Sequence, residues 1–181
     1  MKVLVVIDMQ NDFVTGALGT SEAQAIVENV KRKLEDARQN GDLIVFTRDT
    51  HPSFYLQTKE GQKLPVEHCI KDTYGWEIIS ELTPQTDHSE IIIDKPTFGS
   101  FGLIDAIDYE YHARRVEDPI DTIELCGVCT DICVISNALI LKANYFNTCE
   151  IYVDHTCCAG VTPETHEAAL TTMRMCQINV I

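Results

Sequence analysis

The chain is short of positive charge. Its 181 residues carry 14 Lys and Arg against 28 Asp and Glu, a formal net charge of −14, with a pI near 4.7. So acidic a surface repels phosphate backbones and anionic headgroups, which argues against nucleic acid or a membrane as a partner. Long apolar runs are missing too. Val3–Ile7 is apolar behind one lysine but stops at Asp8, too short for a signal-peptide core or a membrane span. A cytoplasmic location is therefore expected. No Gly-rich phosphate loop follows this run, which disfavours a flavodoxin-like nucleotide binder. Internal repeats, linkers and low-complexity tracts are also missing. Length fits one domain over residues 1–181 with a full hydrophobic core, and a hydrophobic content of 45% fits a soluble globular protein.

Cysteine, by contrast, is plentiful: Cys69, Cys126, Cys129, Cys133, Cys149, Cys157, Cys158 and Cys176. With no secretory signal these read as reduced thiols rather than a disulfide framework. Cys126 and Cys129 have C-x-x-C spacing, which raises a zinc or redox alternative, but no second matched pair follows at zinc-ribbon spacing.

Apolar runs and helical periods alternate along the chain. Residues 2–8, 43–47, 91–94, 122–126, 150–153 and 177–181 read as strands, the first of them buried on both faces. Ser21 opens a helix carrying Ala23, Ile26, Val27, Val30, Leu34 and Ala37 at helical spacing, and Gly41 ends it. Further helices are expected near 77–82, over 103–114, to about Asn144, and over 163–175 behind a Thr162-Pro163 start. Residues 10–20 read as a loop. Residues 53–74 form a long irregular segment of the kind that is usually functional. The alternation gives the fold class: α/β, a three-layer α/β/α domain with a doubly wound, mostly parallel sheet of about six strands.

The centre of the chain is Ile123–Ala138, IELCGVCTDICVISNA. A strand ends, Gly127 turns the chain, and Thr130 or Asp131 can cap the helix that follows. Cys133 then falls in the first helical turn, where the exposed N–H groups and the dipole favour a thiolate. Asp8, Asp49, Asp94-Lys95, Cys126 and Asp154 all lie at or beside strand ends. In open α/β sheets the ligand crevice lies outside the carboxyl ends of the strands. Asp8, Asp49, Lys95 and the Cys133 loop therefore belong at one edge. Asp154 could instead be a cap or a loop acceptor.

Six segments in order now carry a resemblance: VVIDMQNDFVTGALG, FTRDTHP, LPVEHCIKDTYGWE, DKPTFGSF, GVCTDICV and VDHTCCAGVTPETHEAAL. Over nearly its whole length the chain resembles the isochorismatase-like cysteine hydrolases, and within them the nicotinamidase/pyrazinamidase branch. The resemblance implies a catalytic Asp8, Lys95 and Cys133. Cys133 would attack an amide carbonyl and form a thioester, releasing ammonia. Asp8 would take the thiol proton, pass it to the leaving amine and later activate water. The reference pKa values of thiol and carboxyl differ by roughly 4.6, or about 6 kcal/mol. The site must therefore raise the Asp8 pKa, stabilise the thiolate, or both. The resemblance further implies a cis peptide between Val128 and Cys129, aiming the N–H groups of Cys129 and Cys133 at the developing oxyanion. Cys129 is a departure, since many relatives have alanine there, but the backbone donor survives it.

Asp49-x-His51 sets two ligand types just past a strand, and His68 returns from the long loop. These suit a catalytic divalent metal with open positions, and the resemblance makes them metal ligands, with Glu60 the candidate for a fourth. Zinc, iron and manganese all fit these ligand types. Phe13 and Phe98, with Trp76, would line the ring pocket. His88, His112, His155 and His166 match no motif and read as surface residues.

The function implied is a metal-dependent amidase converting nicotinamide to nicotinate and ammonia, a dimer or tetramer as relatives often are. Cys133 speaks against a true isochorismatase. The Asp49, His51 and His68 set speaks against the metal-free carbamoyl-amide branch. One alternative is another small amide or ureido substrate. A second is a non-catalytic metal-binding or thiol-redox protein using the cysteine-rich centre.

Overall fold

The structure is a computed structural model and describes residues 1–85, 90–113 and 119–181. Apolar runs become strands and periodic segments become helices: β1 (Lys2–Ile7), α1 (Asn11–Val14), α2 (Ser21–Ala25), α3 (Val27–Asn40), β2 (Leu43–Asp49), β3 (Glu90–Lys95), α4 (Gly102–Ala113), β4 (Thr122–Val128), α5 (Ile135–Asn144), β5 (Glu150–Ala159), α6 (Pro163–Met175) and β6 (Asn179–Val180). The six strands form one sheet in the order β3-β2-β1-β4-β5-β6, and every pairing is parallel.

Alternation along the central strands divides the core. Val3, Val5 and Ile7 point to one face and pack with α4, α5 and α6 through Leu103, Ile107, Ala138, Leu141 and Leu170. Leu4 and Val6 point to the other and pack with Val30, Leu34 and Ala37 of α3. The result is the expected α/β/α sandwich. Thr20 caps α2 by accepting from the Ala23 N–H, and Gly41 ends α3 at φ 71°, a left-handed position that glycine takes without Cβ strain.

Several local expectations are corrected. Residues 11–14 form one helical turn inside the expected loop. The expected helix at 77–82 is only a 3-10 turn, Ser80–Leu82. β5 runs on to Ala159, past a shift in register after Leu125, so Asp154 lies inside a strand and not at its end. There it is paired with Lys33 at 2.8 Å. The end of the 103–114 helix at Arg114, part of the loop after it, and His88 lie outside the described residues. Among the described residues no helix is long and apolar enough to cross a membrane.

The chain runs outward from β1 to β2 and β3, then crosses back to β4 on the other side of β1. The switch point lies between β1 and β4, where open α/β sheets form a crevice. Gly127 lets β1 and β4 approach closely at this point. It sits at φ 115°, and a Cβ there would lie 2.1 Å from the carbonyl oxygen of Ile7.

Candidate active site

Register sets the site. Ile7 pairs with Thr47 and Asp49 with Lys95, so Asp8, Asp49 and Lys95 come together at the carboxyl edge. Asp8 leaves β1 at φ 50°, a conformation that costs a non-glycine residue about 1–3 kcal/mol. It is held there from two sides. The Thr47 hydroxyl donates to Asp8 Oδ1 at 2.6 Å, and Lys95 Nζ lies 2.6 Å from Asp8 Oδ2. Lys95 also donates to Cys133 Sγ at 3.6 Å and lies 3.9 Å from Asp49 Oδ1. Asp8 and Lys95 are wholly buried and Cys133 nearly so.

Burial decides the charge states. It raises the Asp8 pKa above the ordinary carboxylate value, against the opposing pull of Lys95. Burial would lower Lys95, but Asp8, Cys133 and Asp49 outweigh it and keep the ammonium charged. Cys133 does not match the expectation of an easily ionised thiol. Burial and the neighbouring Asp8 carboxylate push its pKa well up, with Lys95 opposing. Burial thus favours the neutral thiol on Cys133, with the Asp8 carboxyl and the Lys95 ammonium beside it.

The cis peptide between Val128 and Cys129 is present. Beyond it Thr130–Val134 forms a π-helical turn, not the first turn of an α-helix. Neither Thr130 nor Asp131 caps it. The Thr130 hydroxyl bonds to His166 Nδ1 at 2.8 Å, and Asp131 accepts from the Val161 N–H. His166 is accordingly half-buried and engaged, while His112 and His155 are exposed as expected. All eight cysteines are free. Cys126 is buried in the sheet core, with Sγ 3.8 Å from the Val5 carbonyl, whereas Cys129 borders the cavity described below.

The second cluster is assembled by the long loop. His51 N–H donates to the Cys69 carbonyl at 3.0 Å, and Lys71 N–H to the His51 carbonyl at 2.9 Å. Asp12 accepts from Cys69 N–H at 2.8 Å. His68 is thereby returned to Asp49. The ligand atoms of Asp49, His51 and His68 lie within 4.8 Å of one another, and all three residues are buried. His68 Nδ1 meets the Val66 carbonyl at 2.8 Å, which fixes the tautomer that leaves Nε2 free to ligate. Among the described residues His51 Nε2 is buried with no hydrogen-bond partner, though it lies 2.9 Å from Asp49 Oδ2 and 3.7 Å from Glu60 Oε1. Burial would raise Asp49, but His51, His68 and Lys95 outweigh it and hold its carboxyl below the ordinary range. An orphaned imidazole nitrogen beside an ionised carboxylate and a second imidazole fits a divalent metal.

A cavity of about 420 Å³ joins the two clusters. Asp49, His68 and Glu60 border it, as do Cys129 and Cys133, with Phe13 and Phe98 among its apolar walls. Trp76 is not part of it. Its indole donates to Thr50 at 2.7 Å and lies under the Arg48 guanidinium at 3.6 Å, which corrects its expected place in the pocket. A second cavity, of about 460 Å³ against α3, is bordered by Lys33 and Asp154, which pair with each other at 2.8 Å.

Sequence reasoning missed Thr47, Gln10 and Tyr55. Gln10 Nε2 donates to the Asp49 and Trp76 carbonyls, and its Oε1 accepts from Asp49 N–H at 2.7 Å. The Tyr55 ring packs on both His51 and His68, with centroids 4.6 and 5.0 Å away. Leu18, Leu64, Ile132 and Val161 complete the apolar walls. Only the polar glutamine after a buried strand carried a signal that could have been read.

Comparison with known proteins covers the whole chain. The Isochorismatase domain matches residues 2–181. The pyrazinamidase/nicotinamidase of Streptococcus mutans is 30% identical, each chain covering 100% of the other, with a TM-score of 0.81. The pyrazinamidase of Pyrococcus horikoshii in complex with zinc is 28% identical over 99% of this chain and 98% of its own, also with a TM-score of 0.81. The nicotinamidase of Saccharomyces cerevisiae is 24% identical, covering 100% of this chain and 99% of its own.

Proposed function

The chain belongs to the isochorismatase family, and within it we propose that the protein is a metal-dependent cysteine amidohydrolase that converts nicotinamide and water to nicotinate and ammonia. The observation that carries this is a cavity that two clusters both border, through Cys133 and through Asp49 and His68. Asp8, Lys95 and Cys133 form one, and Asp49, His51 and His68 the other. The kinship to proteins named nicotinamidase and pyrazinamidase supports the same substrate.

In this reading Asp8 accepts the Cys133 proton as sulfur attacks the carboxamide carbon. Lys95 faces both groups, so it stabilises the negative charge on whichever of them carries it. The N–H groups of Cys129 and Cys133 face the oxyanion. Collapse breaks the carbon–nitrogen bond, and Asp8 returns the proton to the leaving ammonia. A thioester on Cys133 remains. Asp8 then draws a proton from water, which attacks the thioester carbon, and nicotinate and the free thiol are released. Asp49, His51 and His68, with Glu60 beside them, would hold one divalent ion, zinc, iron or manganese, supplying a Lewis acid that anchors a ring nitrogen. Phe13 and Phe98 would flank the ring by apolar contact.

We take residues 1–181 as one catalytic domain acting in the cytoplasm as a homo-oligomer, with no nucleic-acid or membrane partner. The charge of −14 supports the last point. The test is competition between substrates. Nicotinamide should give a higher kcat/KM than small ureido or carbamoyl amides, measured by product chromatography. A ureido compound preferred over nicotinamide would move the enzyme to the other branch.

A further inference from the structure

The loop that carries Cys129 and Cys133 is held from behind by the start of α6. Thr130, between the two cysteines, is wholly buried, and its hydroxyl bonds to His166 Nδ1 at 2.8 Å. Asp131 accepts from the Val161 N–H at 3.1 and 3.3 Å. Both partners follow β5, which pairs with β4 as far as Val128 and Ala159. His166 itself is fixed. Its N–H donates to the Thr162 carbonyl at 2.9 Å, in a helix closed by the Thr162–Thr165 capping box. No slack remains beside it, because a Cβ on Gly160 would come within 2.9–3.0 Å of His166 Cβ, Cα and N. His166 is not among the residues that line the substrate cavity, so any effect on the reaction must pass through the loop.

We propose that His166 is a positioning residue: through the Thr130 hydroxyl it holds the 129–133 backbone so that the N–H groups of Cys129 and Cys133 face the carbonyl oxygen under attack. Leaving a buried hydroxyl without its partner costs free energy, which favours a shift of its segment that recovers one. Oxyanion donors act only when aligned, and a misplacement of about 1 Å can cost about 10²-fold. The inference rests on the amidase reading for the chemistry it serves, not for the geometry.

The variants are His166→Ala, His166→Asn, Thr130→Val and the double Thr130→Val/His166→Ala. Two substrates are used. Ammonia from nicotinamide follows the proposed reaction. p-Nitrophenyl acetate needs no ring recognition: the Cys133 thiolate displaces p-nitrophenolate to give an acetyl thioester, and water releases acetate. On both, His166→Ala and Thr130→Val should each lower kcat about ten- to a hundredfold with KM held within about twofold, since the lost contact acts in the transition state. His166→Asn, which keeps a polar atom near the Nδ1 position, should recover activity to within about threefold of the parent. The double variant should be no slower than the worse single one. Tm and bound metal are read alongside, and His166→Asn and Thr130→Val carry the test if His166→Ala fails to fold. Unchanged kcat, a loss confined to KM, no rescue by asparagine, or additive losses would each overturn the proposal. A parent active on the ester through Cys133 but idle on nicotinamide removes the nicotinamidase reading, while the ester rates still decide for or against His166. A parent idle on both overturns both.

Discussion

The ammonium of Lys95 lies 2.6 Å from a carboxylate oxygen of Asp8, with both side chains fully buried. The same ammonium reaches Cys133 Sγ at 3.6 Å. A proton can therefore pass between thiol and carboxylate while the net charge of the site stays constant and the cation faces both. In the proposed mechanism it is this geometry, rather than a thiol made acidic by a helix terminus, that would offset the roughly 6 kcal/mol mismatch of the reference pKa values.

Asp8→Asn should reduce kcat about 10²–10⁴-fold, the usual worth of a general acid–base, while the protein stays folded because Lys95 keeps Asp49 at 3.9 Å. Lys95→Met should abolish activity and also destabilise by about 3–5 kcal/mol, since buried carboxylates lose their cation. Denaturant titration beside steady-state kinetics separates the two. Equal stability losses would contradict the assignment of charges.

Gln10 clamps the backbone of Asp49 from both sides, donating at 2.9 Å and accepting at 2.7 Å. Gln10→Ala should weaken metal binding about 10–100-fold, as loss of a group that orients a ligand does, with Cys133 alkylation by iodoacetamide unchanged. Metal affinity by competition with a chromogenic chelator checks this.

Glu60 stands 3.7 Å from His51 Nε2 with part of its side chain in solvent. Glu60→Ala should weaken the metal without removing it, whereas His51→Ala and Asp49→Asn should give metal-free protein. In the parent, zinc added to chelator-treated protein should raise Tm, by about 2.7 kcal/mol of added stability at a hundredfold excess over Kd. Tm in each variant with and without zinc reads the series.

Asp154 belongs to stability rather than to the site. Burial would raise its pKa, but Lys33 and Thr156 outweigh that and hold it at about 2, below the reference 3.8. A carboxyl depressed on folding adds stability that is fully present above about 3.8 and is lost as pH falls towards about 2. Asp154→Asn should therefore lower Tm at pH 7, and the difference from the parent should shrink between about pH 4 and pH 2. A difference constant with pH would contradict the pairing.

The strands and helices were legible because buried apolar runs and helical periods are local patterns. The carboxyl-edge site followed once Asp8, Asp49 and Lys95 fell at strand ends. The supporting partners were not legible. Thr47 meets Asp8 across 39 residues and Thr130 meets His166 across 36, and nothing within ten residues of either announces the contact. Trp76 read as a pocket residue because a lone aromatic carries no direction. Its place beneath Arg48 depends on how the long loop folds back. Cys133 read as acidic because position on a helix is visible in sequence and the depth of burial is not.

The most direct test of the central claim is ammonia release from nicotinamide by the purified protein, with and without chelator, beside Cys133→Ala. The account predicts release by the parent, its loss on chelation with recovery on adding a divalent metal, and none from Cys133→Ala. Release that persists in Cys133→Ala, or no release from folded, metal-loaded parent, would contradict it.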